Sequence, residues 1–111
     1  MTELAAIHQN NGQMPRQNIN VFIKCENFQK TGSFKFRGAY NAFCNLTPEQ
    51  RDKGVLAYSA GNHGQGIALS GKLMGVKTKI IVPKDTNQLK QNAMRGYGAE
   101  LYYFDRYNEN V

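Results

Sequence analysis

Tryptophan is absent from this 111-residue sequence, and it contains only three prolines and two cysteines. Two cysteines are too few for a scaffold held together by disulfides, so Cys25 and Cys44 are interpreted as free, buried thiols of a reducing compartment, with a disulfide between them left open. No stretch contains the ~20 apolar residues that a membrane-spanning helix requires. The first six residues lack the apolar segment of a signal peptide. We therefore predict a cytoplasmic location.

Acidic residues are also few, since eight Asp and Glu stand against 14 Lys and Arg, which gives a formal net charge of +6. Such an excess is compatible with an anionic partner, including a nucleic acid. The basic residues, however, are spread along the chain and form no basic and aromatic stripe of the kind that binds single strands. A solvated surface is the favoured interpretation, and nucleic-acid binding is the weakest. An acidic remainder of the polypeptide outside this sequence would produce the same imbalance.

The length of the chain permits one domain at most. Its hydrophobic spacing predicts strands and helices that alternate along the sequence. After an irregular, Asn- and Gln-rich lead-in, the predicted strands cover 21–26, 55–59, 79–83 and 100–104, and the predicted helices cover 34–44, 48–53, 65–74 and 87–95. Thr86 is expected to cap the last helix, whose inner face is expected to carry Leu89, Ala93 and Met94. This order predicts an open α/β sheet of mostly parallel strands with right-handed crossovers. No helix follows the last strand, so we expect the C-terminus to be a cut rather than a natural boundary.

One segment, residues 28–39, places a lysine at the start of a helix. Thr31 and Ser33 are helix-start residues, because their side-chain oxygens accept hydrogen bonds from the first turn, and Gly32 permits a sharp turn before it. Lys35 then falls in the first turn, where the helix dipole disfavours a cation. Dipole and partial burial would both favour the neutral amine, the form that attacks a carbonyl carbon. The alternative is an ordinary solvated lysine. Ser33 as a nucleophile lacks an acid–base partner, so helix capping is preferred for it.

A second segment, residues 59–66, places glycines and polar residues between a strand and a helix. Ligands bind at the carboxyl ends of strands in open α/β sheets, and the N–H groups of a helix N-terminus suit an anion. The spacing of Gly61, Gly64 and Gly66 is not that of a dinucleotide-binding loop, and no lysine follows as in a P-loop. His63 has no second ligand at metal-binding spacing. The segment therefore predicts an anion site, with neither a metal nor a dinucleotide.

Both segments resemble motifs of one enzyme family. Residues 24–39 are similar to the cofactor-lysine segment, and residues 59–66 to the asparagine loop, of the pyridoxal-phosphate enzymes of the second fold type. The resemblance is greatest to the branch of threonine and serine dehydratases (ammonia-lyases) and serine racemases. It runs from about residue 18 to the last residue and matches only the N-terminal part of such an enzyme.

The resemblance implies a tryptophan synthase β-subunit-like fold, which is an open, mostly parallel, three-layer α/β sheet, present here in part. Residues 1–111 would form the N-terminal part of the enzyme domain. Within it, residues 1–46 would contain the lead-in strand and the lysine helix, and residues 47–111 would belong to the smaller α/β subdomain.

The resemblance also assigns roles to individual residues. Lys35 would bind pyridoxal 5'-phosphate through an imine and then act as the base that removes the α-proton of the substrate. Phe34 would pack against the cofactor ring, and Asn62 would hydrogen-bond the oxygen on that ring. The substrate carboxylate would be held mainly by the backbone N–H groups of Ser59, Ala60, Gly61, Asn62 and His63.

The residue at position 60 favours one reaction of this branch. Racemases of the branch typically have a serine there, and the alanine of this sequence cannot donate a proton. The sequence therefore resembles a lyase that converts L-threonine or L-serine to a 2-keto acid and ammonia, as a homo-oligomer when full length. The phosphate loop, the residue facing the ring nitrogen and the metal site of the family lie downstream, so we expect the chain to be incomplete. A serine racemase-type isomerase and an inactive fragment acting only as a binding module remain open.

Overall fold

The structure is a computed structural model, and it describes residues 2–3 and 18–109. The expected irregular lead-in lies mostly outside these residues. The regular elements, in chain order, are β1 (Thr2–Glu3), β2 (Phe22–Ile23), α1 (Lys35–Cys44), α2 (Pro48–Lys53), β3 (Val55–Tyr58), α3 (Asn62–Met74), β4 (Thr78–Pro83), α4 (Gln88–Gly96) and β5 (Glu100–Phe104).

Three parallel strands form the sheet against which the helices pack. β4 lies between β3 and β5, and in this register Lys79 is opposite both Leu56 and Glu100. This arrangement confirms the predicted parallel α/β sheet. The core joins β4 to three helices through Ala39, Phe43, Ile67, Ala68, Ile80, Val82 and Met94. β1 and β2 pair with each other in antiparallel fashion, apart from this sheet.

The other face of the sheet is open to solvent. Leu56 is 66% exposed and Tyr58 is 53% exposed on this face. Parallel sheets normally carry helices on both faces, because their strands are apolar on both sides. The described residues therefore contain the sheet and the core-facing helical layer of the predicted three-layer fold.

Local capping signals set two helix ends, the start of α2 at Pro48 and the end of α3 at Met74, and both ends match the predicted bounds. The Oγ1 atom of Thr47 accepts a hydrogen bond from the N–H of Gln50 at 3.2 Å, and the side chain of Gln50 accepts one from the N–H of Thr47 at 2.9 Å. α2 thus begins with a capping box. Gly75 ends α3 with a φ of +67°, a left-handed conformation that glycine adopts without steric cost.

The predictions for α4 are correct in part. Met94 is fully buried on the inner face and Ala93 is half-buried, as predicted, but the predictions for Thr86 and Leu89 are wrong. The side chain of Asn87, not that of Thr86, accepts a hydrogen bond from the N–H of Leu89 at 2.8 Å, and Thr86 is buried instead. Leu89 is 77% exposed. A polar residue, Gln91, takes the inner position because its amide donates to the Thr86 carbonyl at 2.7 Å and accepts from the hydroxyl of Tyr103 at 2.8 Å.

The chain before the lysine helix is less regular than predicted. Only Phe22–Ile23 forms a strand, and short 3-10 turns follow at Glu26–Phe28 and Lys30–Gly32. Both cysteines are free, as predicted, but Cys25 is half-buried and Cys44 is exposed, so neither is a buried core thiol. None of the helices in the described part of the chain has the length and apolarity to cross a membrane.

Candidate active site

The lysine segment turns sharply and then begins α1. Thr31 and Gly32 both have left-handed backbone conformations, with φ of +66° and +76°, and this conformation is rare for a β-branched residue such as Thr31. Ser33 is buried, and its Oγ accepts a hydrogen bond from the N–H of Lys35 at 3.3 Å. The Ser33 hydroxyl therefore bonds to the first residue of α1, but the N-cap position itself is Phe34, whose side chain makes no capping hydrogen bond.

The side chain of Lys35 lies on the surface beside an aromatic ring. Its Nζ is 5.2 Å from the ring centroid of Phe34, which is a cation–π distance. Phe34 is 60% exposed, and Lys35 is exposed as well. The expectation of partial burial for Lys35 is therefore wrong. The amine of Lys35 and the ring of Phe34 thus lie side by side on the surface.

A carboxylate links α1 to the chain that precedes it. Oε1 of Glu26 lies 2.9 Å from a guanidinium nitrogen of Arg37 and 3.3 Å from Nζ of Lys24. Desolvation by itself would raise the pKa of Glu26, but the hydrogen bond and charge of Lys24 and the charge of Arg37 together hold it below its ordinary value. Glu26 is thus a carboxylate at neutral pH and restrains the first turn of α1.

Gly66 brings the two motifs together. A Cβ on Gly66 would lie 3.2 Å from the carbonyl carbon and oxygen of Lys35 and from the nitrogen of Phe36. The missing side chain therefore lets the start of α1 pack directly on α3. Gly66 is about one helical turn beyond Asn62, so this contact places the lysine helix beside the helix that carries the asparagine. Sequence analysis assigned Gly66 no role, although a glycine inside a helical pattern is the signal for such a close contact.

Ser59 organises the connection between β3 and α3. Its N–H donates to the carbonyl of Ile81 at 3.1 Å, which fixes it at the edge of the sheet. Its buried Oγ accepts hydrogen bonds from the N–H of Gly64 at 2.8 Å and from the N–H of Gly61 at 3.2 Å. These bonds draw the chain into a helix immediately after Gly61. α3 accordingly begins three residues before its predicted start.

The predicted carboxylate-binding residues fall into two sets. The N–H groups of Ser59 and Gly61 are already bonded within the chain. Those of Ala60, Asn62 and His63 have no hydrogen-bond acceptor among residues 18–109. All three of these residues are exposed, and Asn62 and His63 form the first turn of a 13-residue helix. The open donors therefore cluster at a helix N-terminus, where an anion is favoured.

Replacing Ser59 with alanine is expected to destabilise the chain by about 1–3 kcal/mol, because two N–H groups lose their acceptor and that of Gly64 is buried. The matched control is Ser70→Ala. Ser70 is also buried, but its hydroxyl donates to the Gly66 carbonyl at 2.7 Å and its loss leaves no N–H unsatisfied. Unfolding free energies from denaturant titration would test this difference. Equal losses in the two variants would contradict the organising role of Ser59.

Among residues 2–3 and 18–109, no three His, Cys, Asp or Glu side chains gather where they could bind a metal ion. Two surface depressions are lined by other segments, one by 84–85 and 105–107, the other by 52–56 with Lys77, Lys79 and Glu100. An exposed amine next to an aromatic ring fits pyridoxal phosphate, whose aldehyde an amine can bind, and the open N–H groups at the start of α3 suit an anion.

Comparison with known proteins gives one consistent result. A family model described as pyridoxal-phosphate dependent enzyme matches residues 2–111. Serine racemase of Schizosaccharomyces pombe is 53% identical over 90 residues, which are 81% of this chain and 28% of that protein. L-threonine dehydratase catabolic TdcB of Staphylococcus aureus is 56% identical over 82 residues, 74% of this chain and 24% of that protein.

The crystal structure of serine racemase from Dictyostelium discoideum superposes with a TM-score of 0.75 at 46% identity, over 78% of this chain and 28% of the other. The chain spans between a fifth and a third of the length of these relatives.

Proposed function

Because this chain belongs to the family of pyridoxal-phosphate-dependent enzymes, we propose that it supplies the lysine and the asparagine loop of an ammonia-lyase acting on L-threonine or L-serine. The observation that carries the proposal is the contact at Gly66, where α1 meets α3 so closely that a Cβ would lie 3.2 Å from Lys35. Two segments that are separate in sequence thereby form one surface. The expected partners are a small amino-acid substrate and further copies of the same polypeptide.

Each side chain of this surface has a chemical task in the proposal. Pyridoxal phosphate, when bound, supplies an electron sink that stabilises negative charge at the α-carbon of an amino acid. Phe34 offers its exposed ring face for stacking, and Asn62 offers an amide donor to the ring oxygen. The N–H groups of Ala60, Asn62 and His63 hold the carboxylate and so orient the α-proton toward Lys35.

Lys35 then acts as the base. Its amine would accept the α-proton as the Cα–H bond breaks, and the β-hydroxyl would leave as water with the proton that Lys35 has taken up. The enamine that is released takes up water and loses ammonia, which yields the 2-keto acid.

Racemisation is the competing reaction, because a serine racemase is among the relatives of the chain. It requires a second proton donor on the face opposite Lys35. Ala60 is exposed in the loop and has no such donor, and this favours elimination. The third interpretation, a binding module without catalysis, predicts no product of either kind.

Replacing Ala60 with serine is expected to raise the ratio of D-serine to pyruvate formed from L-serine by at least about tenfold, since a placed general acid contributes roughly 10²–10⁴-fold. Ala60→Gly is the matched control, because it alters the loop without adding a hydroxyl. Chiral chromatography would measure D-serine, and a coupled assay would measure the keto acid, both with added pyridoxal phosphate. Formation of neither product by the unmodified chain would favour the binding module.

A further inference from the structure

Lys90 reaches from α4 to the loop that precedes α3. It lies in the first turn of α4. A Cβ on Gly61 would be 3.1 Å from Nζ of Lys90, 3.4 Å from its Cδ and 3.6 Å from its Cε. The end of the Lys90 side chain therefore lies across Gly61, the residue immediately before α3. No pattern in the sequence connects these two residues, because the whole of α3 and the whole of β4 lie between them.

The charged end of Lys90 is exposed and lies beside the N-termini of two helices. Its ammonium adjoins the N-terminus of α3, and neither α3 nor α4 has an acidic residue in its first turn. None of the ion pairs between described residues includes Lys90. A cation beside two positive helix ends is repelled by both dipoles, whereas a bound carboxylate would be attracted by all three.

We propose that Lys90 is a positioning residue that supplies the positive charge for binding the α-carboxylate of the substrate at Ala60, Asn62 and His63. The inference rests on the proposed function of this loop and adds to it a residue from a third segment. It makes the site selective for a carboxylate over a neutral amide or ester, which would accept the same N–H hydrogen bonds without the attraction of the ammonium.

If Lys90 had only a structural role, removing its charge while keeping its packing would leave anion binding unchanged. The methylene groups of the side chain contact Gly61 by themselves, so packing alone would be retained by an uncharged chain of similar length. Lys90→Met keeps this packing and removes the charge, and Lys90→Arg keeps the charge. Lys72→Met serves as the control, because Lys72 is exposed in the last turn of α3.

Acetate titration followed by the backbone amide resonances of residues 60–64 tests the proposal at constant ionic strength. Lys90→Met is expected to bind acetate about three- to fivefold more weakly than the unmodified chain, the size of effect known for exposed ion pairs. Lys90→Arg and Lys72→Met are expected to retain the affinity. Acetamide is expected to shift the same resonances less, and to do so equally in all four proteins.

Acetate binding that is unchanged in Lys90→Met would overturn the proposal, and so would a loop that does not respond to acetate in the unmodified chain. Covalent attachment of pyridoxal phosphate to Lys35, measured separately, reports on the proposed function and does not require Lys90. Loss of acetate affinity with attachment intact supports the role of Lys90. Failure of attachment alone would remove the proposed function while leaving an anion-binding loop.

Discussion

Lys35→Ala is expected to remove the specific covalent attachment of pyridoxal phosphate to this chain and to weaken cofactor binding by more than about tenfold, equivalent to about 1.4 kcal/mol. Only an amine can form the linkage, and Lys35 is the lysine that adjoins both an open aromatic ring and the helix of the asparagine loop. Incubation with the cofactor, borohydride reduction and peptide mass spectrometry would locate the attached group. Absorbance titration would give the affinity.

Exposed lysines react slowly with any aldehyde, so the experiment needs a neighbouring lysine as its control. Lys30 is also exposed and lies five residues earlier, before the turn, where it has no contact with α3 through Gly66. Lys30→Ala is expected to leave the modification of Lys35 unchanged. Modification spread evenly over the lysines of the chain, with no preference for Lys35, would refute the assignment.

Gly66→Val is expected to destabilise the chain by about 1–3 kcal/mol and to reduce cofactor attachment at Lys35 together with stability. A Cβ at this position already lies 3.2 Å from three backbone atoms of Lys35 and Phe36, and backbone cannot rotate away as a side chain can. The two further methyl groups of valine can be accommodated only if α1 moves off α3. Gly66→Ala requires a shift of a few tenths of an ångström and is expected to have a smaller effect.

Gly38→Val separates this steric effect from helix propensity. Gly38 lies inside α1, and a Cβ there would meet nothing within 4 Å. Valine has a slightly higher helix propensity than glycine, so this variant is expected to be as stable as the original or slightly more stable. Thermal unfolding and cofactor attachment would be measured on all three variants. An equal response to valine at positions 38 and 66 would show that the Gly66 contact does not hold the two motifs together.

The predicted helix bounds at residues 48 and 74 are confirmed, because neighbouring residues set both of these ends. The box formed by Thr47 and Gln50 and the left-handed Gly75 each involve atoms no more than a few residues apart. The same reasoning failed at Thr86, because a polar inner residue, Gln91, could be satisfied by partners on the preceding loop and on β5. Periodicity alone cannot foresee a buried polar group whose partners lie on another element.

The sequence alone determined the order of strands and helices, the parallel sheet, the helix that begins at Lys35 and the resemblance of the two motifs, since each follows from local hydrogen bonding, backbone freedom and hydrophobic spacing. Only the tertiary structure decided that Gly66 joins the motifs, that the Ser59 hydroxyl starts α3 three residues early and that Lys90 lies across Gly61. The physical reason is the distance along the chain between the residues that interact. Local preferences are fixed within about one turn of chain, whereas these contacts exist only after packing brings together segments that are far apart in sequence.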